Sequence, residues 1–217
     1  MNILDTYAWK THQPVLKTVL DLHQIENVIE FGIGDNSTPL LKDVEWYLGV
    51  ENDQGWFERV KKMYPNLNLK LQKLPSNISL PTKSISDKVR SEILLDYDYF
   101  ISLLQHTDLA FIDSWVCNRY LALQKCIQFG FDFIVYHDAQ PKSKRVYNYH
   151  TVNREGYKKY YLTSPTSWTC LLVKNSIEHS FEQLVILSNK YVEEFKKKYP
   201  ICRDKMYWIE GTGIETI

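Results

Sequence analysis

The chain has no long apolar run. Nothing in its 217 residues approaches the roughly 20 consecutive apolar positions that a bilayer-spanning helix needs, so no membrane partner is expected. It has no surplus of either charge: Lys and Arg number 26, Asp and Glu number 26. That balance removes the general pull toward nucleic-acid phosphates or anionic lipid, and no nucleic-acid partner is expected. Cysteine is scarce, with four at positions 117, 126, 170 and 202 and no C-x-x-C pair. This excludes a disulfide scaffold and points to reduced, mostly buried thiols in a cytoplasmic protein. The segment MNILDTYAWKTHQP has no basic stretch followed by an apolar one, so no signal peptide is expected. Repeats and low-complexity tracts are absent too, and one domain over 1–217 is the expectation.

What is present is a globular composition, 44% hydrophobic and 24% charged. Aromatics reach 14%, with 15 Tyr and 6 Trp, enough to fill a core or to line a pocket for flat ligands. Apolar positions 15, 16, 19, 20 and 22 fall on one face of a helix over 14–23. Short apolar strands follow at 27–34, 45–52, 66–75, 107–114 and 131–140, with helices between them over 54–65, 91–105 and 119–130. Residues 75–88, rich in Ser and Pro, read as a loop or lid, and 141–156 reads as a polar, basic and aromatic loop. Two late strands, KKYYLTS and SWTCLLVKN, suggest a hairpin, and 178–199 is a strongly amphipathic helix. Strands alternating with helices predict an α/β fold with a mostly parallel sheet, helices on both faces and an antiparallel edge hairpin.

Ligands of open α/β sheets bind outside the carboxyl ends of the strands. The first strand ends in Glu30-Phe31-Gly32-Ile33-Gly34-Asp35-Asn36-Ser37-Thr38. Two glycines allow a tight turn and close backbone approach. The dinucleotide fingerprint wants a third glycine where Ser37 stands, so a pyrophosphate cradle is weakened. The second strand ends at Glu51, 19 residues after Gly32 (from 32 to 51), the interval at which an acidic side chain holds ribose hydroxyls. The fourth strand ends in Asp113-Ser114 and the fifth in His137-Asp138. An imidazole and carboxylates at one rim can form a general base with an orienting partner, or a cation site.

These segments resemble, in order and spacing, the motifs of class I S-adenosylmethionine-dependent methyltransferases. VIEFGIGDNSTPLL is similar to their first motif, YLGVEND to their acidic second-strand motif, DLAFIDS followed by Arg119 to the fourth-strand motif, and FIVYHDA to the fifth-strand motif of small-molecule O-methyltransferases. The resemblance spans about residues 10 to 175 and implies a Rossmann-like sheet with S-adenosyl-L-methionine as cofactor. It implies that Glu30, Gly32 and Gly34 face the methionine part, with polar contacts from Asn36, Ser37 and Thr38. It implies Glu51 on the ribose, Asn52 and Leu74 at the adenine, and Asp113, Ser114 and Trp115 closing the site around the methyl group. Metal-dependent relatives carry an acid at each of the fourth and fifth strand ends, which would make Asp113 and Asp138 ligands of a divalent cation. His137 beside Asp138 argues instead for a metal-free base, with His137 as base and Asp113 or Asp138 as its orienter.

The expected function is therefore O-methylation of a small polar acceptor, a sugar or glycan, stacked on aromatic faces such as Trp115 or Trp168. The basic and aromatic residues of 140–157 suit such an acceptor, and His12, just ahead of the first helix, is a candidate to touch substrate or cofactor. Two alternatives stand: a nicotinamide- or nucleotide-binding enzyme on a similar sheet, and a cofactor-binding module without catalysis.

Overall fold

A computed structural model describes residues 10–73, 85–114, 118–141, 144–178, 180–200 and 206–211, with the side chains of Lys144 and Arg145 left aside. Leu74, Trp115, Cys117 and Cys202, and most of the 75–88 segment, lie outside the described residues.

The elements run α1 (Gln13–Leu22), β1 (Asn27–Phe31), α2 (Thr38–Leu41), β2 (Trp46–Glu51), α3 (Gln54–Met63), β3 (Leu69–Leu71), α4 (Asp87–Ser102), β4 (Leu109–Ile112), α5 (Arg119–Phe129) and β5 (Phe133–Tyr136). They continue with α6 (Lys144–Tyr147), a 3-10 turn (Tyr149–Thr151), β6 (Tyr157–Thr163), β7 (Thr169–Lys174), α7 (Phe181–Lys198) and β8 (Tyr207–Glu210). Local chemistry sets several boundaries. Pro14 opens α1, where its missing N–H is no loss. The Asp53 carboxylate caps α3 by accepting from Trp56 N at 2.7 Å, and Ser180 caps α7. Gly130, in the left-handed region, ends α5.

The eight strands form one sheet in the order β3-β2-β1-β4-β5-β7-β6-β8. Strands β1 to β5 pair in parallel, whereas β7 runs antiparallel to β5 and β6. The α/β fold, Rossmann-like with helices on both faces, is thus the observed one. The antiparallel end is richer than a hairpin: β7 slots between β5 and β6, and β8 pairs with β6 to become the edge strand.

The pleat sorts alternate residues to two cores. Val28, Tyr47, Leu109, Phe111 and Val135 pack with α1, α3 and α7. Ile29, Phe31, Val50, Ile112 and Tyr136 pack with α4 and α5 on the other face. Both faces are covered, which is why these strands read as continuous apolar runs. Cys126 and Cys170 are free and buried. No helix among the described residues is long and apolar enough to cross a membrane.

The 141–156 segment is not a plain loop. It contains α6 and the 3-10 turn, and Tyr149 is buried against Tyr136 with ring centroids 4.6 Å apart. Its Arg154 turns inward, giving hydrogen bonds to the Tyr149 carbonyl at 2.6 Å and the Tyr136 hydroxyl at 3.3 Å.

Candidate functional site

Strand order reverses between β1 and β4, and the crevice outside their carboxyl ends is where such a sheet takes a ligand. Gly32 forms the floor. Its φ is +92°, and a Cβ there would come within 2.5 Å of Ser114 N and 2.6 Å of the Asp113 carbonyl. Only glycine lets the β1 turn lie this close to the end of β4. Gly34 is different: a Cβ there would meet only the Trp56 ring, at 3.8 Å.

Glu30 lies beneath the glycine turn, fully buried. Its carboxylate accepts from the hydroxyls of Ser37, Thr38 (2.9 Å) and Tyr47. Thr38 Oγ1 in turn accepts from Gly34 N at 2.9 Å. Burial pushes the Glu30 carboxyl up to about 7, against the pull of the three hydroxyls. Glu30, expected to face the methionine part, and Ser37 and Thr38, expected to supply polar contacts, are therefore hydrogen-bonded to one another and fix the turn. Asn36 is held through its carbonyl, which accepts from Gln13 Nε2 at 2.9 Å and ties α1 to the turn.

At the end of β2, Glu51 Oε1 accepts from the backbone N–H groups of Asn52 (2.7 Å) and Asp53 (2.9 Å). Its other oxygen has no hydrogen bond among the described residues. Burial also raises this carboxyl to about 7. Beside it, both polar atoms of the Asn52 amide are buried without a partner, and across the crevice so is Ser114 Oγ. Unsatisfied buried polar atoms are rare in folded proteins and call for an explanation, such as a ligand.

The rim formed by β4 and β5 is an ion-pair network around Arg119. Its guanidinium meets Asp113 Oδ1 at 2.6 Å and Asp138 Oδ2 at 2.9 Å, and its Nε donates to the Ser114 carbonyl. The Tyr147 ring covers the guanidinium at 4.5 Å, and the Tyr147 hydroxyl donates to Asp138 at 3.0 Å. Burial would raise both acids, but Arg119 and His137 hold Asp113 well below the usual carboxylate range, and His137 and Arg119 lower Asp138. Asp138 adopts a left-handed φ of 58°, uncommon for a side-chain-bearing residue.

His137 is 4% exposed. Its Nδ1 faces Asp113 Oδ1 at 3.3 Å, and its Nε2 lies 2.9 Å from Thr11 Oγ1 and 3.0 Å from Ser167 Oγ. Burial opposes its charging, but Asp113 and Asp138 together raise its pKa. Both nitrogens are thus engaged within the network. Arg119 bridges Asp113 and Asp138, the two acids at which metal-dependent relatives would place a cation. His12 is 1% exposed, neither solvated nor at the mouth, with its ring 5.2 Å from that of His137. Leu74 and Trp115, expected at the adenine and methyl positions, lie outside the described residues.

Sequence reasoning placed Arg119 only as the residue that follows the fourth-strand motif, with no role, and it missed Ser167, Thr11 and Trp56. Ser167 and Thr11 reach His137 from 30 and 126 residues away, a proximity only the fold creates. Trp56 was legible only as a helix residue, yet its indole N–H donates to the Ile33 carbonyl and steadies the glycine turn.

No family model and no curated protein matches this chain. Solved structures with some likeness in chain path include the 23S rRNA methyltransferase ErmE, at 10% identity and a TM-score of 0.42 over 85% of this chain and 75% of that one. A dimethyladenosine transferase from Plasmodium falciparum gives 14% and 0.43 over 86% and 74%. Thermoplasma acidophilum 1320 gives 12% and 0.41 over 82% and 100%. The first is named for ribosomal RNA and the second for dimethyladenosine. The expectation of a small-molecule or glycan acceptor, with no nucleic-acid partner, is withdrawn on these findings.

Proposed function

We propose that this chain is a methyltransferase that binds S-adenosyl-L-methionine in the crevice between the ends of β1, β2 and β4. The observation that carries this reading is the set of unmatched polar groups around Gly32: the second oxygen of Glu51, the Asn52 amide and Ser114 Oγ. An acceptor carboxylate suits a ribose diol, and an amide with both a donor and an acceptor free suits an adenine edge. The residues present fit the cofactor at that end. At the methionine end the fit is through backbone, since Glu30, Ser37 and Thr38 are turned inward.

The cofactor, when bound, supplies a methyl group already activated on sulfonium. The chain's part is then to align donor and acceptor and to keep water out. Gly32 lets the turn approach closely, the Glu30 hydroxyl cluster keeps the turn rigid, and the Arg119 network fixes the β4 and β5 rim. A hydroxyl acceptor must lose a proton, and His137 could take it only by giving up one of its present partners. The engaged imidazole favours an acceptor atom that presents its lone pair without prior proton loss.

The test is transfer of a labelled methyl group from S-adenosylmethionine into a cell extract separated into nucleic-acid, protein and small-molecule fractions. Label is expected in one fraction with the native chain and in none with Glu51→Ala. Absence of label from every fraction with the native chain contradicts the reading.

A further inference from the structure

Three side chains from distant parts of the sequence converge at the carboxyl ends of β4 and β5: His12 ahead of α1, Asp113 after β4 and His137 after β5. Each offers one donor atom, and the three atoms all lie within 4.8 Å of one another. His12 is buried against Phe111, with ring centroids 4.7 Å apart, and neither ring nitrogen has a hydrogen-bond partner among the described residues. A polar ring sealed in this way wants a ligand that is not part of the chain.

The hydrogen bonds around His137 fix which of its nitrogens faces the cluster. Ser167 Oγ donates its one proton to Asp138 Oδ1 at 2.9 Å. Toward His137 that oxygen can therefore only accept, which puts a proton on Nε2. The other nitrogen, Nδ1, points at Asp113 Oδ1 from 3.3 Å. A proton on Nδ1 makes this contact in the metal-free chain, and a metal ion can take that proton's place. Two ligands each 2.0–2.1 Å from a tetrahedral ion are about 3.3 Å apart, the separation this pair already has. An imidazole held by its far N–H, with its near nitrogen toward a carboxylate, is also the usual arrangement of a metal-ligating histidine.

The charges permit it. With His137 neutral, as a metal ligand must be, Asp113 and Asp138 carry two negative charges against the single positive charge of Arg119, leaving one in excess near the cluster. Arg119 and His137 share Asp113 Oδ1, and Oδ2 has no hydrogen bond among the described residues. The donor set matters for the choice of ion. Two imidazoles and one carboxylate suit zinc, cobalt or nickel, whereas magnesium and calcium prefer oxygen alone.

We propose that His12, Asp113 and His137 bind one divalent transition-metal ion of the zinc class. The site differs from a carboxylate pair at Asp113 and Asp138, and it does not depend on methyl transfer. The native chain, stripped with a chelator, is titrated with cobalt(II) and with zinc. One equivalent of cobalt should produce the ligand-field absorption of a four- or five-coordinate ion, and zinc should displace it. His12→Phe fills the same space without the nitrogens and should weaken binding at least tenfold, with the circular dichroism of the metal-free protein unchanged. X-ray absorption of the zinc-loaded native chain needs no variant, and should find two imidazoles and a carboxylate oxygen around the ion. Absence of stoichiometric binding, binding unaltered by His12→Phe, or a first shell without two imidazoles would each overturn the proposal.

Discussion

Glu30 shows how a single residue can be legible for position while its partners are not. A buried acid at the end of a first strand looks like a cofactor contact, and the resemblance to methyltransferases strengthens that view. Its two oxygens are nonetheless consumed by Ser37, Thr38 and Tyr47. Two of these partners stand seven and eight residues on, and the third lies on the neighbouring strand, so the sequence alone could not pair them. The consequence is a pH dependence of stability. Burial raises the carboxyl from its ordinary 4.5 to about 7. Across that window the folded chain keeps a proton that the unfolded chain has lost, so stability falls as pH rises. Glu51, raised to about the same value, acts with the same sign, and His12, held down to about 3, acts with the opposite sign from there up to its ordinary 6.5. Glu30→Gln removes one contributor. Denaturant unfolding is expected to show the variant gaining on the native chain by up to roughly 3 kcal/mol between pH 4.5 and 7. A difference that stays flat across this range would mean the carboxyl titrates normally.

At the scale of elements, the parallel strands were legible because both faces of the sheet are covered, so each strand reads as an apolar run. α1, α3, α5 and α7 were legible from their apolar spacing, with Pro65 and Gly130 marking the ends of α3 and α5. α6 was not, because four residues are too few to show a helical period. β8 was not, because an edge strand with exposed Tyr207 and Glu210 has no buried face to announce it. The meeting of the β1 turn with the end of β4 was legible in part, as a glycine whose freedom was needed for some reason. The structure gives the reason at Gly32 and shows Gly34 to be less constrained. Gly32→Ala is therefore expected to destabilise the chain by about 2 kcal/mol or more, through both the positive φ and the clash with the Asp113–Ser114 backbone. Gly34→Ala should cost well under half as much. Thermal or urea unfolding of the two variants decides this, and equal costs would mean that the close approach at Gly32 is not real.

For the whole molecule, the sheet order places the reversal between β1 and β4, and everything of chemical interest gathers at the carboxyl ends near that point. The strand-end residues picked from the sequence do converge there: Gly32, Glu51, Asn52, Asp113, Ser114, His137 and Asp138 share one rim. What the sequence could not supply is how they divide. The Glu51, Asn52 and Ser114 side has polar atoms to spare, whereas on the other side Arg119 bridges Asp113 and Asp138 and His137 faces both acids. The first side is where a ligand has most to gain. Calorimetric titration of S-adenosylhomocysteine into the native chain and into Glu51→Ala tests this most directly. One saturable site in the native chain, weakened at least tenfold in the variant, is the expected result. Heat indistinguishable from dilution in the native chain, or equal affinity in both, would contradict a cofactor site at these strand ends.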